Sequence, residues 1–239
     1  MKNNDVKFTL PLLDEPRTVR VKFRKVGNLQ YISHLDLQRS FARILVRAGL
    51  PLWYTQGFNP HIKMVFGMPL PVGCESECEY LDIRLERDMS NEEIKARLNA
   101  ELTAELAVSE VYVPTRKFTD VAFAAYDFTL HTAGADEDMA ARVRAVLQKS
   151  PLTVLKKSKS GEKEIDLSAY IRTADARYAD GNIEMRAVLA AGEGNYVSPE
   201  ALVTVLRREL GILSVNPVEE YYHIVRRRVL LADGVTPFD

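Results

Sequence analysis

The sequence contains no apolar run that approaches the roughly 20 residues needed to span a bilayer. Its first residues lack the apolar core of a secretory signal, so we expect a cytoplasmic protein with no membrane association. Cysteine is scarce, since Cys74 and Cys78 are the only two, and a four-ligand zinc site or an iron–sulfur cluster would need more ligands. We interpret both as reduced thiols and expect no metal ion or cofactor in this chain.

Familiar catalytic motifs are also missing: there is no P-loop, no dinucleotide-binding glycine motif and no G-x-S-x-G nucleophile motif. The 239 residues are long enough for one large domain or two small ones, and the 46% hydrophobic and 27% charged composition is ordinary for a globular protein. The net charge of -1 argues against polyanion binding by the whole surface, so any such binding must come from a local patch.

Charge is strongly polarised along the chain. Between positions 17 and 63 there are nine Lys or Arg residues and a single acidic residue, Asp36. Positions 64 to 110 reverse this balance, with four basic residues against eleven acidic ones. A basic segment with interspersed aromatic residues predicts a polyanion partner, and RNA is the simplest candidate.

Hydrophobic periodicity predicts the order β-α-β-β-α-β in the first half of the chain. Val19, Val21 and Phe23 alternate with basic residues, which indicates a half-buried strand with a basic outer face. Ser33 begins a helix whose buried face is Leu37, Phe41, Ile44, Leu45 and Ala48. Further strands are predicted near 62–66, 79–85 and 108–113, and a second helix over 90–102.

The same order of elements recurs in the second half. Strands are predicted near 126–131, 152–155, 163–171, 183–189 and 221–231, and helices over 136–149 and 198–210. The sequence therefore predicts an α+β fold of two tandem ferredoxin-like (βαββαβ) units with antiparallel sheets, at 17–114 and 125–232.

Four motifs carry a resemblance to a known family: Tyr31-Ile-Ser-His-Leu-Asp36, Arg47-Ala-Gly-Leu-Pro-Leu52, Gln56-Gly-Phe-Asn-Pro-His61 and Leu70-Pro-Val-Gly-x-x-Ser76. The chain resembles the bacterial radical-SAM-linked proteins, a domain of unknown function that occurs alone or fused C-terminal to a B12-binding radical-SAM enzyme. The resemblance is densest over 17–85, and Thr55 stands where that family more often has Ser. It implies that SAM and an iron–sulfur cluster would belong to a partner, since this chain lacks the three-cysteine motif.

The candidate nucleic-acid-binding residues combine phosphate ligands with stacking and base-edge groups. Aromatic rings of the 53–63 segment offer flat faces, its amides and imidazole offer hydrogen bonds, and the arginines at every fourth helix position suit a phosphate ladder. The full set is Arg20, Lys22, Arg24, Arg39, Arg43, Arg47, Trp53, Tyr54, Gln56, Phe58, Asn59, His61 and Lys63. The alternatives are a structural loop with its aromatics folded inward, and arginines that are solvated or paired with Glu75, Glu77 and Glu79.

Two histidines and a carboxylate are candidates for catalysis. His34, His61 and Asp36 could form a metal-free acid–base set for RNA cleavage. A capping box at the helix start accounts equally for Ser33 and Asp36. His34 would lie in the first helical turn, where the helix dipole favours a neutral imidazole. We interpret His131 and His223 as structural.

Three functional hypotheses follow. The first is an RNA-binding accessory module for tRNA or rRNA modification, alongside a radical-SAM enzyme. The second is an RNA-processing enzyme that uses His34 and His61, and the third is a protein-interaction module that docks on a radical-SAM partner. The residues favour a binding module over an enzyme acting on its own, but leave catalysis open.

Overall fold

The computed structural model describes residues 11–158, 161–213 and 218–238. Within them the chain is a mixed α/β protein with four α-helices and mostly antiparallel sheet. It divides into two compact units, unit 1 (Met1–Phe118) and unit 2 (Thr119–Asp239).

Unit 1 combines four strands with two helices. In chain order they are β1 (Leu12–Lys25), α1 (His34–Arg47), β2 (Met64–Phe66), β3 (Cys74–Arg87), α2 (Asn91–Glu101) and β4 (Val108–Tyr112). The strands pair in the order β4-β1-β3-β2, and each of these pairings is antiparallel. Because β1 lies in the middle, its residues have neighbours on both edges.

Helix α1 begins and ends where the sequence predicts. The Ser33 hydroxyl accepts a hydrogen bond from the Asp36 amide at 3.2 Å and donates one to the Asp36 carboxylate at 2.7 Å. These bonds satisfy an amide that the first helical turn leaves without a partner. Gly49, which follows the last turn, has a φ of 66°, a conformation that glycine adopts without strain.

The buried face of α1 packs on the sheet of unit 1. Leu37, Phe41 and Leu45 are buried, as the spacing predicts. The Phe41 ring lies 4.8 Å from the Phe23 ring of β1 and 5.6 Å from the Phe66 ring of β2. Truncating a buried phenylalanine to alanine in such a core costs about 3–5 kcal/mol of stability.

Unit 2 has the same alternation of strands and helices with one insertion. Its elements are β5 (Phe123–His131), α3 (Glu137–Leu147), β6 (Thr153–Ser158), β7 (Gly161–Asp166), β8 (Ile171–Ala179), β9 (Asn182–Gly192), β10 (Asn195–Tyr196), α4 (Glu200–Leu210) and β11 (Tyr221–Leu230). The antiparallel order is β8-β9-β5-β11, and β10 also pairs with β9. Strands β6 and β7 form a separate hairpin.

Strand β5 shows how the sheet of unit 2 separates two faces. Ala124, Tyr126, Phe128 and Leu130 are buried, whereas every intervening residue from 123 to 131 is only half-buried. This period of two means that one face packs on the core and the other meets solvent.

The sequence predicts a strand over 163–171, and this prediction is wrong. The chain instead forms β7, a 3-10 turn at Leu167–Tyr170, and then β8. Strand β8 contains one buried residue, Ala176, among exposed and half-buried ones. It lacks the apolar alternation that marks a strand in the sequence. Its strand conformation comes instead from antiparallel pairing with β9 at the edge of the sheet.

Candidate nucleic-acid interface

The 53–63 segment is a projecting hairpin, which we call the 53–63 hairpin. An isolated antiparallel bridge joins Tyr54 to Ile62. The Thr55 amide donates to the His61 carbonyl at 2.9 Å, and the Lys63 amide donates to the Trp53 carbonyl at 3.3 Å. These bonds hold the two arms together, so residues 56–60 form a presented tip rather than a loose loop.

The tip of the hairpin is open to solvent. Residues 56–61 are all exposed, and Phe58 has a relative exposure of 112%. An ideal Cβ placed on Gly57 meets nothing within 4 Å. A phenylalanine ring with both faces in water forgoes about 1.5–3 kcal/mol of burial free energy, which a stacked partner would recover.

His61 takes part in the hairpin's own hydrogen bonds. Its Nδ1 lies 3.0 Å from the Thr55 hydroxyl and 3.3 Å from the Asn59 carbonyl. The Thr55 hydroxyl also accepts from the His61 amide at 3.1 Å. A hydroxyl at position 55 therefore closes the hairpin, and serine would provide the same group. The Nε2 atom of His61 is not used by these bonds.

Trp53 anchors the hairpin to β3. Its amide donates to the Arg84 carbonyl at 2.8 Å, and the Arg84 guanidinium lies 4.9 Å from the centre of its ring. One face of the indole is therefore covered from within the protein. Tyr54, on the neighbouring position, is 41% exposed.

The three arginines of α1 differ in how they are compensated. Arg47 donates to the Glu101 carboxylate of α2 at 2.7 Å, and Arg39 lies 3.5 Å from Asp36. Arg43 is exposed and makes no ion pair with any residue that the structure describes. No ion pair in the described part of the chain joins these arginines to Glu75, Glu77 or Glu79, which argues against the alternative that this stretch neutralises them.

The basic residues of β1 do not form the open face expected from the sequence. Arg20 is 2% exposed and forms two hydrogen bonds with Asp82, at 2.7 and 2.8 Å. The Phe118 ring covers its guanidinium at 4.1 Å. Lys22 pairs with Glu110 at 3.1 Å with 17% of its side chain exposed. Carboxylates on the two neighbouring strands thus pair with these cations within the protein.

Arg24 is the exposed cation of β1, and it donates to the Ala104 carbonyl at 2.8 Å. Lys25, counted among the basic residues of the sequence, is only 1% exposed. Its ammonium donates to the Gln30 carbonyl at 3.3 Å. Lys25 has the same strand phase as Val19, Val21 and Phe23, so the alternation contained the signal for its burial.

No hydrogen bond in the described part of the chain joins His34, Asp36 and His61 into the acid–base set. His34 is half-buried, its Nε2 lies 3.0 Å from the Gln38 amide, and its ring meets the edge of Phe66 at 5.2 Å. Burial lowers the pKa of His34, Glu79 raises it and Lys25 lowers it further. None of these contacts reaches His61, whose partners are those of the hairpin.

Metal sites, reactive thiols and membrane-spanning helices are other classes of feature. Among the described residues, no group of three or more His, Cys, Asp or Glu side chains is placed to hold a metal ion. Cys74 and Cys78 are free thiols, and both are buried. No helix in the described part of the chain is both long and apolar enough to cross a membrane.

Comparison with known proteins identifies a family. Residues 18–199 match the model of a family described as "Uncharacterized protein conserved in bacteria (DUF2344)". No curated protein matches. A solved structure of a Cbf5-Nop10-Gar1 complex is similar at 12% identity and a TM-score of 0.49, over 88% of this chain and 48% of that chain. This chain thus spans about half the length of that one.

A second similar structure comes from Galdieria sulphuraria and is described as an unknown protein. It shares 12% identity with a TM-score of 0.25, over 89% of this chain and 99% of that chain.

Proposed function

The chain belongs to the family of uncharacterized proteins conserved in bacteria that matches its residues 18–199, and we propose that it is an RNA-binding accessory module that presents tRNA or rRNA to a modification enzyme. The observation that carries this proposal is the tip of the 53–63 hairpin, where Phe58 stands wholly exposed on a hydrogen-bonded support. The hairpin holds this ring away from the body of unit 1, as a base-stacking residue requires.

The chemistry of the tip suits unpaired RNA bases. The Phe58 ring offers a stacking face, and Gln56 and Asn59 each carry an exposed amide that can both donate and accept. Sequence-specific RNA recognition commonly stacks splayed bases on aromatic rings and reads their edges with such groups. Because the arms are already closed, little ordering entropy is lost when a base stacks at the tip.

The exposed cations of unit 1 would contact the phosphate backbone. Arg43 makes no ion pair among the described residues, and Lys63, at the base of the hairpin, is exposed. Arg39 is 64% exposed and only loosely associated with Asp36. Arg20 and Lys22 are left out of this surface, because both are engaged by carboxylates of their own sheet.

Paired substitutions test the proposal. Phe58→Ala should weaken binding of labelled total tRNA by about 1–3 kcal/mol, the value of one base–aromatic stack. Arg43→Glu should weaken it and lower the slope of log affinity against log salt by about 1. The matched controls are Val113→Ala, an exposed apolar residue of the same unit, and Lys95→Glu, an exposed cation of α2.

Both controls should bind as the unaltered protein does. If Phe58→Ala and Arg43→Glu also bind like the unaltered protein, the hairpin is not an RNA-binding element and the proposal is wrong. Fluorescence anisotropy at two salt concentrations measures all four variants. Because Phe58 and Arg43 are exposed, neither change should move the free energy of unfolding by more than about 0.5 kcal/mol.

The link to a radical-SAM enzyme rests on the motif resemblance alone. In this proposal SAM and the iron–sulfur cluster belong to that partner, and this chain supplies substrate binding. Docking on such a partner is also the second candidate function. One observation favours it: Tyr31, Leu35 and Val72 are exposed apolar residues, and the Gly73 amide bonds to the Gln30 carbonyl beside them at 2.9 Å.

Co-purification separates these two roles. If the module docks through this apolar group, a Tyr31→Ser/Leu35→Ser variant should lose a tagged radical-SAM partner while it retains tRNA binding. Loss of tRNA binding with the partner retained would assign the group to RNA instead. The acid–base alternative has no such support, since His34 and His61 have separate partners.

We also propose that both units are ferredoxin-like, with boundaries near 17–114 and 125–232. The support is the strand order. In each unit the fourth strand lies beside the first, the first beside the third and the third beside the second, with β6 and β7 as an insertion in unit 2.

A further inference from the structure

Three aromatic side chains meet on the solvent-facing side of the sheet in unit 2. His131 of β5 and Tyr221 of β11 are direct cross-strand partners. Their rings stack at 4.1 Å with an interplanar angle of 22°. His223 meets both rings edge-on, at 5.9 Å from His131 and 5.7 Å from Tyr221. We call these three residues the aromatic cluster.

The aromatic cluster borders an open cavity of about 390 Å³. Tyr221 is 42% exposed although one of its faces lies on His131, so much of the ring remains accessible. The polar groups around the cavity come from strand ends and turns on three sides. They include Thr132, Asn182, Glu219 and Glu220.

Hydrogen bonds hold one carboxylate of the polar lining in place. Glu220 is 7% exposed and accepts hydrogen bonds from the Thr132 hydroxyl at 2.6 Å and the Ala133 amide at 3.1 Å. Glu219, next to it, is exposed. The cavity therefore combines a flat aromatic wall with one carboxylate held by hydrogen bonds and a second, exposed carboxylate that can accept from the N–H donors of a planar ligand.

We propose that this cavity binds one unpaired RNA base that carries an exocyclic amino group, stacked on Tyr221 with its amine directed at Glu219. The inference rests on the RNA-binding function proposed above and adds a second contact in unit 2. Aromatic residues on the open face of a four-stranded antiparallel sheet are an established way to stack single-stranded RNA bases. Stacking tolerates any base, whereas a carboxylate acceptor selects bases with an amino group.

The electrostatics of the cluster agree with a base rather than a phosphate as ligand. Burial lowers the pKa of His131 and the nearby His223 lowers it further, whereas the hydrogen bond with Asn182 raises it. A neutral imidazole beside two glutamates gives no attraction for an anion. The phosphates would instead follow the arginines further along the same face.

Two arginines on this face share one carboxylate. Arg186 and Arg227 both approach Asp127, at 3.5 and 2.9 Å. Arg186 keeps 79% of its side chain exposed. Arg186, whose register partner on β8 is Asp175, still exposes most of its side chain to a phosphate on this sheet face. A strand of RNA laid across the sheet would then place its backbone here and a base in the cavity.

The test uses the full chain and four labelled single-stranded ten-nucleotide RNAs: oligo-A, oligo-C, oligo-U and one mixed sequence. Tyr221→Ala should weaken binding of the mixed RNA by about 5- to 150-fold, the range for loss of one stacking ring. Tyr221→Phe keeps the ring and should bind like the unaltered protein. Glu219→Gln should reduce the preference for oligo-A and oligo-C over oligo-U. Tyr178→Ala, a similarly exposed tyrosine of β8, is the matched control and should bind normally.

The outcomes are distinguishable from those for the hairpin. If Tyr221→Ala binds normally while Phe58→Ala is weakened, the cavity proposal is overturned and the RNA-binding function stands. If Tyr221→Ala and Tyr178→Ala weaken binding equally, the cavity proposal is also overturned, because the effect is not specific to the cluster. If the unaltered protein binds none of the RNAs at low salt, both proposals fall. A thermal melt of each variant shows whether lost binding reflects lost folding.

Discussion

Removing the carboxylate of the buried ion pair between Arg20 and Asp82 should strongly destabilise unit 1. The change is Asp82→Ala on β3. It leaves the guanidinium of Arg20, which is 2% exposed and stacked on Phe118 at 4.1 Å, without the carboxylate that binds it through two hydrogen bonds. Burial lowers the pKa of Arg20, but hydrogen bonding and charge attraction to Asp82, together with Tyr112, outweigh it and raise the pKa, so the side chain stays charged after folding.

The expected cost is set by the burial of the charge that remains. Breaking a buried pair by removing one partner costs about 3–5 kcal/mol, since the remaining buried charge loses its carboxylate. Asp82 keeps 17% of its side chain exposed, so we expect the lower end, about 3 kcal/mol. With a urea m-value of about 1.5 kcal/mol/M, the unfolding midpoint should fall by about 2 M.

Trp53 provides a specific assay, because it is the only tryptophan in the sequence and it lies in unit 1. Its fluorescence during urea titration reports the unfolding of that unit. The control Glu110→Ala removes a carboxylate that is 55% exposed and pairs with Lys22, and it should cost less than about 1 kcal/mol.

The double change Arg20→Met/Asp82→Leu distinguishes the net contribution of the ion pair from the cost of leaving Arg20 buried without its carboxylate. Replacing a buried pair with apolar residues is often neutral or stabilising, so the double variant should regain most of the stability that Asp82→Ala loses. A loss below about 1 kcal/mol for Asp82→Ala would refute the reasoning. Arg20 would then be solvated, and it would return to the list of residues available to RNA.

Three further predictions concern local groups. Ser33→Ala should lower the free energy of unfolding by about 1 kcal/mol by removing the cap of α1, without changing tRNA affinity, and a larger effect on affinity would assign Ser33 to binding. Hydrogen bonds from the Thr236 hydroxyl and two backbone amides lower the pKa of Asp233 from 3.8 to about 2. Asp233 therefore stabilises the fold above pH 3.8 and loses that effect as the pH falls towards 2; carboxyl NMR should give a midpoint near 2, and one near 3.8 would contradict the hydrogen bonds. Burial lowers the pKa of His34 below 6.5, so its contribution to stability is present above pH 6.5 and is lost as the pH falls through its folded pKa; a ring-proton NMR midpoint at or above 6.5 would show that the imidazole is solvated.

Local signals in the sequence were enough to predict the helices. The hydroxyl of Ser33, the spacing of Leu37, Phe41 and Leu45, and Gly49 all act within a few residues of one another. The bounds of α1 and the burial of these three apolar residues are confirmed, whereas Ile44, also predicted to be buried, is half-buried. The neutral His34 was predicted from the helix dipole. Its lowered pKa is confirmed in direction, but burial is the largest cause.

Contacts between distant segments could not be predicted from one sequence. Arg20 has the phase of an outward-facing residue, and only the positions of Asp82 and Phe118 show that it is covered. The sequence alone does not relate His131 to Tyr221, and only the register of β5 and β11 shows that they lie opposite each other. The local sequence pattern does not show which distant residue the fold will bring into contact.

The most direct test of the RNA-binding role is to locate the RNA on the protein. Ultraviolet crosslinking to bound tRNA, followed by trypsin and mass spectrometry, identifies the crosslinked peptides. The account predicts crosslinks in the tryptic peptide of residues 48–63, which contains Phe58, and their loss in Phe58→Ala and at high salt. Crosslinks confined to other peptides of unit 1, or none at low salt, would contradict it.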